Sequence, residues 1–172
     1  PGVTIDVGDA QDGYAVLIQN NTVDGCGNNG IYGSASISAP DNTTMGSFGI
    51  FSNTVASCTN GIRLSTMHPG AEIANNQVLD SSNAGIYLAM ASADVVDVIS
   101  NTVASSTLTD TTGIRLNSGQ VNLANGTLTN HLTSVYNDVG IITATAVLTT
   151  GNDIVQQDGA FMAQNSALAI GG

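Results

Sequence analysis

Asn53-Thr54-Val55-Ala56-Ser57-Cys58-Thr59-Asn60-Gly61-Ile62-Arg63-Leu64 decides the fold, because both ends of this stretch return along the chain. Its opening phrase returns as Asn21-Thr22-Val23, Asn76-Gln77-Val78 and Asn101-Thr102-Val103, and more loosely as Gly126-Thr127-Leu128 and Asn152-Asp153-Ile154. Its closing phrase returns as Gly30-Ile31-Tyr32, Gly85-Ile86-Tyr87-Leu88, Gly113-Ile114-Arg115-Leu116, Gly140-Ile141-Ile142 and a weaker Gly159-Ala160-Phe161-Met162. Measured along Val23, Val55, Val78, Val103, Leu128 and Ile154, the spacings are 32, 23, 25, 25 and 26 residues. A fixed period of this size identifies a repeat architecture.

Within each repeat, three short stretches alternate apolar and polar residues, and Asn, Gly and Ser stand between them. Alternation of period two bounded by turn residues reads as strand, and no long run carries the helical period. Parallel strands joined without crossover helices must coil, each rung about 4.8 Å above the last. The sequence therefore predicts an all-β solenoid, one domain over residues 1–172, with about seven rungs of three short strands each. The long first spacing is explained by a Pro- and Gly-containing insertion at about 38–46, and smaller corner insertions fall at 66–70 and about 107–111.

Stacking turns positions into columns. Asn21, Asn53, Asn76, Asn101 and Asn152 fall at one corner, where side-chain amides can bond rung to rung in a structural ladder. Three residues after each marker come Cys26, Cys58, Ser81, Ser106, His131 and Gln157. Cys26 and Cys58 thus meet on adjacent rungs, close enough for a disulfide. Two stacked free thiols fit the same positions. A third column, Tyr32, Arg63, Tyr87, Arg115, Ile142 and Phe161, lies between inward-pointing residues and should face outward. It holds both arginines of the chain, and cation–π stacking can make it a self-satisfied ladder or a stripe for a glycan or a protein.

Composition bounds the partners. There is no lysine, and two arginines stand against thirteen carboxylates, for a net charge of −11. So acidic a chain is not expected to bind nucleic acid or an anionic membrane. Asn, Thr, Ser and Gly build the polar surface, which suits an extracellular or cell-surface location. Triplets of the glycosylation type at Asn20, Asn42 and Asn125 would be usable only there. The chain begins at Pro1, which reads as a mature or excised product. No metal site of the Cys/His type is expected, since the histidines are only His68 and His131. Asp6, Asp9 and Asp12, and Asp94 with Asp97, read as solvated turn caps, with calcium coordination as the alternative.

The Asn-Thr-Val and Gly-Ile-x-Leu phrases resemble the repeats of right-handed parallel β-helix proteins of the pectin-lyase-like superfamily, over roughly residues 14–170. The resemblance implies the right hand of the coil and a function among polysaccharide lyases, glycosidases, tailspikes, adhesins and surface proteins. The catalytic residues it would bring do not carry over. Val stands where a polygalacturonase-like Asn-Thr-Asp needs its Asp, no histidine is flanked by glycines on both sides, and Arg63 and Arg115 lie two repeats apart. No catalytic residue is assigned.

The ends of the chain alternate like inner strands. Val3, Ile5 and Val7 at one end and Leu168 and Ile170 at the other read as strands open for pairing, Ile170 in the strand that precedes an Asn-Thr-Val phrase. Subunits stacked head to tail, or a neighbouring solenoid segment, would cover them. The expectation is an extracellular structural or interaction protein forming a filament or surface fibre, without cofactor. The alternative is a β-helix that binds or cleaves polysaccharide.

Overall fold

The computed structural model describes residues 3–7, 16–35, 48–65, 71–90, 95–150, 153–156, 160–163 and 169–171. The insertions at 38–46 and 66–70 lie outside these, as do Asp9, Asp12, His68, Asp94, Asn152, Gln157 and Leu168.

After β1 (Val3–Val7), a set of β2 (Val16–Gln19), β3 (Thr22–Asp24) and β4 (Asn29–Ala35) is repeated twice. The repeats are β5 (Phe48–Phe51), β6 (Thr54–Ala56) and β7 (Asn60–Ser65), then β8 (Ala71–Ala74), β9 (Gln77–Leu79) and β10 (Ala84–Ala89). Next, β11 (Val95–Ile99) leads into the long β12 (Thr102–Ser118), and β13 (Gln120–Ala124) leads into β14 (Thr127–Asn137). The order closes with β15 (Ile141–Thr145), β16 (Leu148–Thr150), β17 (Asp153–Gln156), β18 (Ala160–Ala163) and β19 (Ala169–Gly171).

Every pairing between described strands is parallel. The protein is an all-β parallel solenoid of about three turns, its strands forming two parallel sheets. One sheet stacks β2, β5, β8, β11, β13, β15 and β18; the other stacks β1, β4, β7, β10, β12, β14, β16 and β19, and β3, β6 and β9 join it through β12.

The three strands expected per rung therefore form two sheets, because β12 runs through a corner that earlier rungs turn sharply. Ser57 and Asp80 make that corner at φ of 54° and 50°, whereas β12 continues past Ala104. The excursion expected at 107–111 is a shift of register within β12, which slips against β14 between Ala104 and Thr109 and again before Thr112.

The core is built from apolar columns. Val23, Val55, Val78, Val103 and Leu128 form one, and Ile31, Ile62, Ile86, Ile114 and Val135 another, all buried. Each fully buried aliphatic side chain stabilises the fold by about 1.5–3 kcal/mol.

The corner before the first column is turned by Asn20, Ser52, Asn75, Ser100 and Asn125, all at φ of 53–58°. Asn and Ser tolerate this left-handed conformation better than branched residues. Their N–H groups remain bonded to the next rung, as in Ser52 to the Phe51-equivalent carbonyl of Ala74 at 3.1 Å and Asn75 to that of Ile99 at 3.0 Å.

Directly after this corner stands the asparagine ladder. Asn21 Nδ2 donates to Asn53 Oδ1 at 3.0 Å, Asn53 Nδ2 to Asn76 Oδ1 at 3.0 Å, and Asn76 Nδ2 to Asn101 Oδ1 at 2.9 Å. Each receiving oxygen also accepts the backbone N–H of the donor residue. The amide nitrogens of Asn53, Asn76 and Asn101 reach back to the carbonyls of Ile18, Ile50 and Ile73 at 3.0, 2.9 and 2.7 Å. Polar groups at 1–3% exposure are thereby satisfied, as burial requires.

The glycines opening the phrases at Gly30, Gly61, Gly85 and Gly113 are required by the approach of the next rung. A Cβ on Gly61 would stand 2.2 Å from Val78 Cγ1 and 2.6 Å from the carbonyl oxygen of Gly85.

Beyond residue 128 the structure departs from the expected register. Ile154 pairs with Val135, so the Asn152-Asp153-Ile154 phrase continues the Gly-Ile column and not the Asn corner. Thr149 occupies the position opposite Leu128, and Ile170 lies opposite Thr149, in the marker column and not in the strand before it. Val3, Ile5 and Val7 lie opposite Ile31, Gly33 and Ala35.

Asn76→Ala strips partners from Asn53, Asn101 and Ile50 at once, and should lower stability by about 3 kcal/mol in chemical denaturation. Asn21→Ala, at the exposed end of the ladder, should cost about 1 kcal/mol or less.

Candidate functional site

The outward column beside the Gly-Ile phrases is the most chemically distinctive surface described. Tyr32 lies opposite Arg63, Arg63 opposite Tyr87, Tyr87 opposite Arg115, and Arg115 opposite Tyr136. The flanking Ile62 and Leu64 point inward and are fully buried, so strand alternation turns Arg63 outward, and the same holds at Ile86, Tyr87 and Leu88.

Both arginines are sandwiched. The Arg63 guanidinium lies 5.6 Å from the Tyr32 ring centre and 4.9 Å from that of Tyr87, and Arg115 lies 5.4 Å from Tyr87 and 5.3 Å from Tyr136. Nε of each arginine is buried with no hydrogen-bond partner. The outer edges of a flattened guanidinium can still meet a planar acceptor with two parallel bonds.

The column differs from expectation at its far end. Ile142 is buried in β15 opposite Val121, and Phe161 lies opposite Ile142, both in the other sheet. Gly140 imitates the repeated glycine but serves a different contact: a Cβ there would lie 2.3 Å from Leu116 Cδ2. Asn137 fixes that turn, its Oδ1 accepting from the Gly140 N–H at 3.0 Å and its Nδ2 donating to the Gly140 carbonyl at 2.9 Å. The true copy is Ser134-Val135-Tyr136, which sequence reasoning missed because it lacks the glycine. Its surviving signal is an aromatic residue one position after a buried aliphatic one.

A second amide ladder was also missed. Asn60 Nδ2 donates to Asn29 Oδ1 at 2.9 Å and Asn83 Nδ2 to Asn60 Oδ1 at 2.8 Å. The residue preceding each Gly-Ile pair, or two before it at Asn83, was the available clue.

The column of Cys26, Cys58, Ser81 and His131 turns inward. Both cysteines are buried free thiols. Burial and then the neighbouring Cys26 side chain push the Cys58 thiol up to about 12, and its Sγ lies 3.2 Å from the Ala56 carbonyl oxygen. Ser106 is exposed, whereas Ser105 is buried.

His131 is 1% exposed, with Nδ1 3.3 Å from Thr111 Oγ1 and Nε2 lacking a hydrogen-bond partner. Burial lowers its pKa below the usual 6.5, opposed by the Val103 backbone. This side chain is packed inside the coil.

On the opposite sheet, Asp97 lies opposite Glu72 and accepts from Asn122 Nδ2 at 2.8 Å. Among the described residues no group of three or more His, Cys, Asp or Glu side chains is placed to hold a metal ion. Compared with known proteins, the chain matches no family model and no curated protein sequence.

Tyr87 meets two guanidinium groups and Tyr32 only one, so Tyr87→Leu should cost about 1–2 kcal/mol and Tyr32→Leu about half that in denaturation experiments. The lowered pKa of His131 favours its neutral form in the folded chain. Its contribution is fully present above about pH 6.5 and is lost as pH falls towards the folded-state pKa. Relative to His131→Gln, the protein should therefore lose stability on acidification below about pH 6.5, and parallel profiles would contradict this placement.

Proposed function

We propose that the chain is an extracellular structural or interaction protein: a right-handed β-helix of about seven rungs, of the pectin-lyase-like type, that stacks end to end with its own copies or with a neighbouring solenoid segment. The observation that carries this reading is the one-sided pairing of the end strands among those described. Among the described strands, β1, β2 and β3 at one end and β17, β18 and β19 at the other each pair on one side only. Such edges present unpaired backbone groups that template another parallel strand. A contact of one end with the other does not close on itself, and so generates a filament.

Carbohydrate binding is the second reading, favoured by the Tyr32, Arg63, Tyr87, Arg115, Tyr136 column. Aromatic faces stack on sugar rings, and guanidinium edges meet carboxylates.

Electron microscopy of the purified protein tests the first reading. Filaments with an axial repeat of about 33 Å, the height of about seven rungs, are expected. Ile5→Lys in the edge strand β1 should abolish them. Discrete particles at every concentration would overturn assembly, and release of fragments from an acidic polysaccharide would show that a structural role is not the whole account.

A further inference from the structure

On the corner of the asparagine ladder, in the part of each rung that precedes the Tyr/Arg column, the surface is concave. An open groove of about 330 Å³ runs across three rungs there. Its floor is the ladder itself, Asn53 and Asn76, whose amides are already occupied. Its walls are Ser52, Asn75 and Ser100 on one side and Thr54, Gln77 and Thr102 on the other.

The two walls have different origins. Ser52, Asn75 and Ser100 are the left-handed corner residues, at φ of 54°, 58° and 54°. Thr54, Gln77 and Thr102 lie opposite one another at the start of β6, β9 and β12, on the face away from buried Val55, Val78 and Val103. None of these six side chains hydrogen-bonds to another described residue. The backbone beneath them is fixed: the Ser52 N–H bonds to Ala74 O at 3.1 Å, Asn75 to Ile99 O at 3.0 Å and Ser100 to Ala124 O at 2.8 Å.

We propose that this corner groove is a binding site for an uncharged polyhydroxylated chain, a neutral polysaccharide, lying along the coil axis. The lining selects the class. It contains no charged side chain, so it offers nothing to pair with phosphate, sulfate, carboxylate or ammonium. It contains no aliphatic or aromatic side chain, so a lipid or an apolar peptide would gain nothing there. Hydroxyls and amides both donate and accept, which matches sugar hydroxyls that do the same.

The repeat selects the shape. A pair of uncharged polar side chains recurs at each rung, Ser with Thr on the outer two and Asn with Gln on the middle one, about 4.8 Å apart, so three rungs span roughly 10 Å. A ligand that itself repeats can engage successive rungs, and each hydrogen bond adds a modest increment over water. A backbone already locked by rung-to-rung bonds loses little freedom on binding. The site is independent of end-to-end assembly and of the Tyr/Arg column.

Calorimetric titration of the full chain with cello-, xylo- and manno-oligosaccharides of three and six units tests the proposal. At least one neutral series should bind saturably, its six-unit member more tightly than its three-unit member. The double variant Thr54→Val with Thr102→Val, which keeps side-chain shape and removes two hydroxyls, should weaken that binding about tenfold. Gln77→Leu should weaken it as well, and Tyr87→Leu should leave it unchanged. Circular dichroism of each variant verifies that the coil is intact.

No saturable binding of any neutral series up to about 10 mM would overturn the proposal. So would tighter binding of oligogalacturonate than of every neutral series, or binding lost on Tyr87→Leu and retained in the groove variants, which would place the ligand on the aromatic column.

Discussion

The corner asparagine carries the constraint on which the coil depends. A parallel solenoid must bend its chain sharply at the same place in every rung, and a sharp bend leaves backbone groups pointing where no ladder partner stands. Here the left-handed residue makes the bend, and the following asparagine closes the gaps, taking one backbone N–H onto a neighbouring Oδ1 and returning Nδ2 to a carbonyl of the rung before. Bend and repair are therefore one device. Removing it from a single rung disturbs the rungs on both sides, because every amide is shared.

Fixing the corner fixes everything hung upon it. Once each rung starts from the same bend, residues at equal distance from it stack in register, and a mixed sequence becomes a set of uniform columns. The apolar columns fill the narrow interior; the outward ones give the alternation of tyrosine and arginine on one face and the hydroxyl and amide walls on the corner. The guanidinium groups show how strongly register acts. The chain has two cations in all, and both are held between tyrosine faces by strand pairing alone.

Much of this was legible in the sequence where the repeating phrases stay intact. The ladder from Asn21 to Asn101, the inward Ile and Leu of the Gly-Ile phrases and the first four residues of the aromatic column all follow from spacing. Legibility fails where one cue is carried by a residue with another task. Gly140 matches the phrase but answers to Leu116, whereas Val135-Tyr136 holds the position without a glycine. Ile154 matches the marker by count, yet pairing sets it opposite Val135. Counting from a marker cannot see that β12 absorbs extra residues as a shift of register. The groove was hidden for a different reason: concavity depends on corner dihedral angles, which side-chain pattern does not encode.

The asparagine ladder also gives the coil a direction. The amide-to-amide bonds from Asn21 to Asn101 all run the same way, each Nδ2 donating to the Oδ1 of the following rung, so these bonds align along the axis. Beyond Asn101 the column passes to Gly126. The two ends of the ladder are thus chemically unlike, one an exposed asparagine and the other, inside the coil, meeting a glycine with no side chain to offer, so the corner can tell one direction from the other.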